Sequence, residues 1–140
     1  MNRARIYAHC GMQRWVKSYC ETYSPVLNMM SVSLLLAIAH IHGLNSKSID
    51  FVLPFPQADI DIDILMELPE GMIPVGDESN HRLYILKLNK SLCGLKQVSH
   101  NWYEKLKQYF LDQDFTASKI DSCIFMKYGM LLLLYVDDCI

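Results

Sequence analysis

The sequence has no C-x-x-C pair, no apolar run long enough to cross a membrane and no marked excess of one charge. Its five cysteines (Cys10, Cys20, Cys93, Cys123, Cys139) are odd in number and fit no zinc spacing, so reduced and mostly buried thiols are expected. His9, His40, His42, His81 and His100 share no ligand spacing. The longest apolar stretches, residues 34–39 and 130–136, are of a size for a core, so no membrane association is expected. The first 17 residues carry Arg3, Arg5, Arg14 and Lys17 without an apolar h-region, which argues for an intracellular, non-secreted chain. A net charge of −2 excludes the global basic field of many small nucleic-acid binders.

What is present is a chain of 140 residues, 51% apolar and only 20% charged. That suits one domain with a real core and excludes wholesale disorder. The charges follow an order that the near-neutral total hides. Four basic groups and no acid fill residues 1–17, then eight acids and no Lys or Arg lie between Lys47 and Arg82. Residues 82–107 carry six basic groups against Glu104 alone, and Asp137-Asp138 closes the chain. Two basic stretches around an acidic centre would suit a polyanion held with metal ions; ordinary solvated faces are the plainer reading.

Residues 3–9 alternate loosely and read as a strand. Ser31 is placed to cap an apolar helix running to His42, with Gly43 just beyond. That helix is apolar nearly all round, which predicts burial. Residues 49–53, 62–68 and 83–88 read as strands, the last two joined by a Pro- and Gly-rich loop over 69–80. A second helix starts near Ser99, with Trp102, Leu106, Tyr109 and Phe110 on one face. Residues 123–128 and 130–136 flank Gly129 as a hairpin. The sum is an α+β fold: a mostly antiparallel sheet with helices packed on one face.

The chemistry concentrates in acids. Tyr135-Val136-Asp137-Asp138 ends an apolar strand in two adjacent carboxylates with no basic residue nearby in sequence. Asp-Asp after a strand is most often a turn. Their mutual repulsion would nevertheless be relieved by a divalent cation. Asp50 lies in a second apolar run, where an unpaired charge is costly. If the two strand ends meet, three oxygen donors could chelate two Mg²⁺ ions and leave coordination positions open for phosphates.

At this point the sequence resembles the reverse transcriptases of copia-type long-terminal-repeat retrotransposons. The words run in order. Glu21-Thr22-Tyr23-Ser24-Pro25-Val26 matches E-T-Y-[AS]-P-V, and Asp50 stands at the Asp of D-x-x-x-A-[FY]. Residues 66–71 match M-x-x-P-x-G, residues 86–97 are similar to L-x-K-S-L-Y-G-L-K-Q, and Trp102-Tyr103, Asp121-Ser122-Cys123 and the Tyr-Val-Asp-Asp end follow. Coverage runs from about Ala4 to Ile140.

The resemblance implies a fingers–palm fragment of an RNA-directed DNA polymerase, residues 1–140 being one partial domain truncated at both ends. It implies Asp50, Asp137 and Asp138 as catalytic, metal-binding carboxylates. Phe51 would lend a backbone carbonyl to one of two Mg²⁺ ions, for which Mn²⁺ can substitute. Phe55 would be the steric gate against a ribose 2′-OH; a plain core aromatic is the alternative. Arg3 and Arg5 would meet the triphosphate, and Gly94 and Lys96 would border nucleotide and template. The implied partners are an RNA or DNA template-primer and deoxynucleoside triphosphates, in the cytoplasm, a virus-like particle or the nucleus. Pro54, Cys10, Cys93 and Val98-Ser99-His100 depart from the family pattern. With two residues after Asp138, the return strand of the hairpin is expected to be missing and the acid pair to fray. The chain alone is then expected to be inactive. A non-enzymatic remnant or co-opted binding module is the alternative function.

Overall fold

The computed structural model describes residues 6–69, 72 and 84–140. Among the described residues, two α-helices and seven short strands form an α+β arrangement. The strands are β1 (Ile49–Asp50), β2 (Leu65–Glu67), β3 (Ile85–Lys87), β4 (Thr116–Ala117), β5 (Ile124–Lys127), β6 (Met130–Tyr135) and β7 (Asp138–Cys139). The helices are α1 (Met29–Ile41) and α2 (Val98–Asp112).

A five-stranded sheet runs in the order β1-β7-β6-β5-β4, antiparallel throughout; β2 and β3 form a separate antiparallel pair. The expected hairpin is present as β5–β6. Tyr128 and Gly129 form its turn at φ of 38° and 78°, positive at both positions as the twist of a two-residue hairpin requires. The strands foreseen over 49–53, 62–68 and 83–88 are found, shortened to two or three residues. Strand β4 was not foreseen. Ile6–His9 is irregular, not a strand. The rest of that stretch, including Arg3 and Arg5, lies outside the described residues, as does most of the loop over 69–80.

The core sits between α2 and the sheet. Trp102, Tyr103, Leu106 and Phe110 of α2 pack with Cys123, Ile124, Phe125, Leu133, Leu134 and Leu27. Tyr109, foreseen on the buried face, is exposed. A smaller cluster of Ile64, Leu95 and Val98 adjoins the first through Phe55, which packs against both.

Helix α1 corrects two expectations. Its N-cap is Asn28, whose side chain accepts from Met30 N at 2.9 Å; Ser31 is inside the helix. It has no buried residue at all. Only Val32 and Leu35 pack, half-buried, against the main core, while Met29, Met30, Leu34, Leu36 and Ile41 are exposed. A uniformly apolar helix has no preferred side, so composition announced burial without saying how much of the circumference would be covered. No helix among the described residues is long and apolar enough to cross a membrane. All five cysteines are free, but only Cys123 and Cys139 are buried; Cys10 and Cys20 are exposed because their segment lies outside both core clusters.

Candidate active site

The Tyr135-Val136-Asp137-Asp138 segment folds as a tight hairpin. Tyr135 and Asp138 are ladder partners, so Val136 and Asp137 form the two-residue turn. Val136 takes φ of 54°, the left-handed region that a β-branched residue enters only under constraint. The return strand, expected to be missing, is present as Asp138–Cys139. It pairs with β6 on one side and β1 on the other, and Ile140 and Leu133 exchange two further backbone bonds at 2.8 and 3.0 Å. Pairing on both edges, with Cys139 only 2% exposed, holds in place a pair that was expected to fray.

The second flanking strand is the one that carries Asp50. Asp50 is the direct ladder partner of Asp138, and Phe51 N donates to Asp137 O at 3.0 Å. Directly opposed residues of an antiparallel pair project to the same face with Cα atoms about 4.5–5.5 Å apart. Two carboxylates 88 positions apart in the chain (138 minus 50) are thus made neighbours. Like charges so placed repel each other. Among the described residues no Lys, Arg or His forms an ion pair with Asp50, Asp137 or Asp138. The other described acids mostly have partners. Asp59 meets Lys90 and Lys105, Asp63 meets Lys87 at 2.7 Å, and Asp61 accepts from Asn101 at 3.3 Å. A cluster of hard oxygen donors with no protein cation fits a divalent ion. Among the described residues, no group of three or more His, Cys, Asp or Glu side chains is placed to hold a metal ion. The arrangement is an open rim, with Asp50 and Asp138 both exposed.

The remaining candidates are distributed as follows. Phe51 is half-buried, its ring edge-on to Trp102 at 5.3 Å and 76°. Phe55 opens the 3₁₀ turn Phe55–Gln57 directly after the buried Pro54, half-buried between the two core clusters. Gly94 has φ of 96°, and a Cβ there would stand 2.1 Å from the backbone oxygen of Ala8. The close approach that this glycine permits is therefore to the N-terminal segment of its own chain, which is further tied by Ala8 N donating to Cys93 O at 2.8 Å. Lys96 lies over the Tyr19 ring at 4.7 Å and donates to Gln13 O at 3.4 Å.

Several contributors escaped the sequence reading. Gln97 is fully buried; it donates to Ser18 O at 2.8 Å and accepts from Gln13 Nε2 at 3.0 Å, pinning residues 13–18 to the start of α2. Asp121 accepts from Cys123 N and from Asn28 N, which joins the β5 approach to the cap of α1. Trp102 donates from its indole to Val136 O at 2.9 Å. Its place in a helical apolar stripe marks it as core, and nothing in that periodicity reveals what its N–H would meet. Glu21, which opens the matched E-T-Y word, accepts from Thr22 N and Tyr23 N, and these bonds hold its carboxyl below the usual carboxylate range.

The small antiparallel sheet thus sets the hairpin that carries Asp137 and Asp138 against the strand that carries Asp50. The profile of the reverse transcriptase (RNA-dependent DNA polymerase) family matches residues 1–140, and the chain belongs to that family. Within it, the similarity is to copia-type elements. The chain is 33% identical over 141 residues to the retrovirus-related Pol polyprotein from transposon TNT 1-94 of Nicotiana tabacum, covering 97% of this chain and 10% of that protein. It is 33% identical over 140 residues to the corresponding polyprotein from transposon RE1 of Arabidopsis thaliana, covering 97% and 9%. The chain thus spans about a tenth of the length of these relatives. No solved structure matches it.

Proposed function

We propose that residues 1–140 form the fingers and palm portion of an RNA-directed DNA polymerase acting by two-metal nucleotidyl transfer. The observation that carries this reading is the ladder pairing of Asp50 with Asp138 beside the Val136-Asp137 turn, on a rim without a cationic partner among the described residues. Asp50, Asp137, Asp138 and the backbone carbonyl of Phe51 would hold two Mg²⁺ ions, which when bound favour the ionised primer 3′-hydroxyl and offset charge on the departing pyrophosphate. Phe55, immobilised between two core clusters, is a rigid ring suited to exclude a 2′-hydroxyl. Lys96 supplies a cation for phosphate once released from Tyr19 and Gln13, and Gly94 fixes the backbone that carries it. Arg3 and Arg5 are assigned to the triphosphate on the family motif alone. Template-primer and deoxynucleoside triphosphates are the substrates of this reading, in an intracellular setting.

The test is a graft. Residues 1–140 replace the matching segment of the tobacco relative's polyprotein, and primer extension is followed on an RNA template with Mg²⁺. Synthesis is expected, and Asp50→Asn or Asp137→Asn should each reduce it at least about 100-fold. The 140-residue chain alone is expected to stay at background, because its carboxylate rim is open to water. A graft without activity beside an active parent, or synthesis that survives Asp137→Asn, overturns the assignment.

A further inference from the structure

Both carbonyls of the strained turn are held from outside the hairpin. Val136 O accepts from the Trp102 indole at 2.9 Å, and Asp137 O accepts from Phe51 N at 3.0 Å. The two donors are themselves joined, since the Phe51 ring meets the Trp102 ring edge-on at 5.3 Å. The three contacts close a circuit: α2 to the turn, the turn to the residue after Asp50, and that residue back to α2. Trp102 is only 3% exposed and packs among Leu106, Phe110 and Leu134, so the donor cannot swing away. A residue held at positive φ against its intrinsic preference persists only when its surroundings over-determine it. In this turn the surroundings are one indole N–H and one amide N–H.

We infer that Trp102 is a positioning residue: by clamping Val136 O and bracing Phe51, it fixes the spacing of Asp137 and Asp138 from Asp50. It touches neither metal nor substrate in this role. The inference deepens the polymerase reading, but the clamp can be tested without it. An indole N–H buried in a core needs some acceptor in any case. The distinguishing point is that this acceptor belongs to the turn that carries Asp137 and leads into Asp138.

The decisive variant is Trp102→Phe, which keeps a ring against Phe51 and removes the N–H. Amide hydrogen exchange is read at Phe51 and at Phe125 in the fully buried centre of β5. Exchange at Phe51 should accelerate about fivefold more than at Phe125, the local opening expected when a bond of roughly 1 kcal/mol is lost beside a strained turn. Equal acceleration at both sites means that Trp102 serves general stability only and overturns the inference. The unsubstituted chain gives a second measurement that does not depend on the variant folding. The Trp102 indole proton should exchange far more slowly than that of Trp15, whose N–H reaches Cys20 O at 3.3 Å from a 69% exposed side chain. Equal rates there also overturn the inference. Mn²⁺ titration, read by paramagnetic broadening of Asp138, separates the two readings. Binding that weakens in Trp102→Phe while Phe51 alone loses protection supports both. No binding by the unsubstituted chain counts against the metal reading, and the exchange data still decide the clamp.

Discussion

Among the described residues, five non-glycine residues take positive φ: Val16, Leu53, Asp114, Tyr128 and Val136. Aspartate tolerates the left-handed region, and Tyr128 is demanded by its hairpin turn, but valine and leucine pay in sterics. At Val136 the strain lies just before the two carboxylates and is held by Trp102 and Phe51. At Val16 no such site is nearby. The residue is 59% exposed, with its φ of 67° imposed by a turn in which Val16 N donates to Tyr19 O at 2.8 Å. Val16→Gly should therefore stabilise the chain by about 1 kcal/mol, since the relieved strain exceeds the entropic penalty of glycine. A urea midpoint that rises at unchanged slope checks this. A midpoint that falls would mean that the valine side chain contributes contacts worth more than the strain. These positions also show where sequence reading stops. Glycines at 94 and 129 and the Asp137-Asp138 end signal turns by residue type, whereas the same backbone at Val16, Leu53 and Val136 contradicts residue preference; at Val136 it is held by Trp102 and Phe51 from outside the hairpin.

Among the elements, α2 and the β5–β6 hairpin were legible, because periods of 3.6 and 2 give direction as well as type. Trp102, Leu106 and Phe110 are buried together as their spacing requires. The pairing of β1 with β7 was not legible, since no local pattern states which strands will be neighbours; only the family motif pointed there, and Asp50, read as a costly charge in an apolar run, is exposed. Helix α1 failed in the opposite way. Its sequence is apolar on every side, so hydropathy carried length but no orientation. The structure divides its circumference sharply. Leu35 packs on the core, while its neighbour Leu34 is 61% exposed. Leu35→Ala should cost about 1–2 kcal/mol, below the range for truncating fully buried leucines because the site is half-buried. Leu34→Lys should change stability by less than about 0.5 kcal/mol, as at other exposed positions. Urea unfolding of both variants checks the division. A large loss from Leu34→Lys would show that a second face of α1 is packed in solution.

For the molecule as a whole, the two buried thiols couple the sheet to pH. Cys123 opens the β5 edge of the main core and Cys139 closes the return strand beside Asp138; they are 1% and 2% exposed. Burial raises both from an ordinary value of 9.0 to about 11, with Asp121 adding to the rise at Cys123. Burial also raises Tyr103, whose hydroxyl donates to Ser122 O at 3.0 Å. A group whose folded value is raised binds its proton more tightly in the folded state. Its contribution is complete below the unfolded value and is lost as pH climbs toward the folded one. Stability should therefore hold near neutrality and decline between about pH 9 and 11, with the sheet that frames the carboxylates failing as its thiols ionise. A urea-midpoint series across pH 7–11 reads the decline. In the Cys123→Ala, Cys139→Ala double variant the midpoint at pH 7 should drop through lost packing, while its further fall above pH 9 becomes shallower, leaving only the Tyr103 component among these three groups. An alkaline decline of equal steepness in both proteins would place its origin outside the two thiols. Sulfhydryl labelling at pH 8 is an independent reading of the same architecture, since thiolates are the reactive species. The exposed Cys10 and Cys20 should react in a fast phase, while Cys123 and Cys139 should wait for unfolding. Rapid labelling of Cys139 in the native chain would mean that the return strand opens, and with it the pairing that sets Asp138 against Asp50.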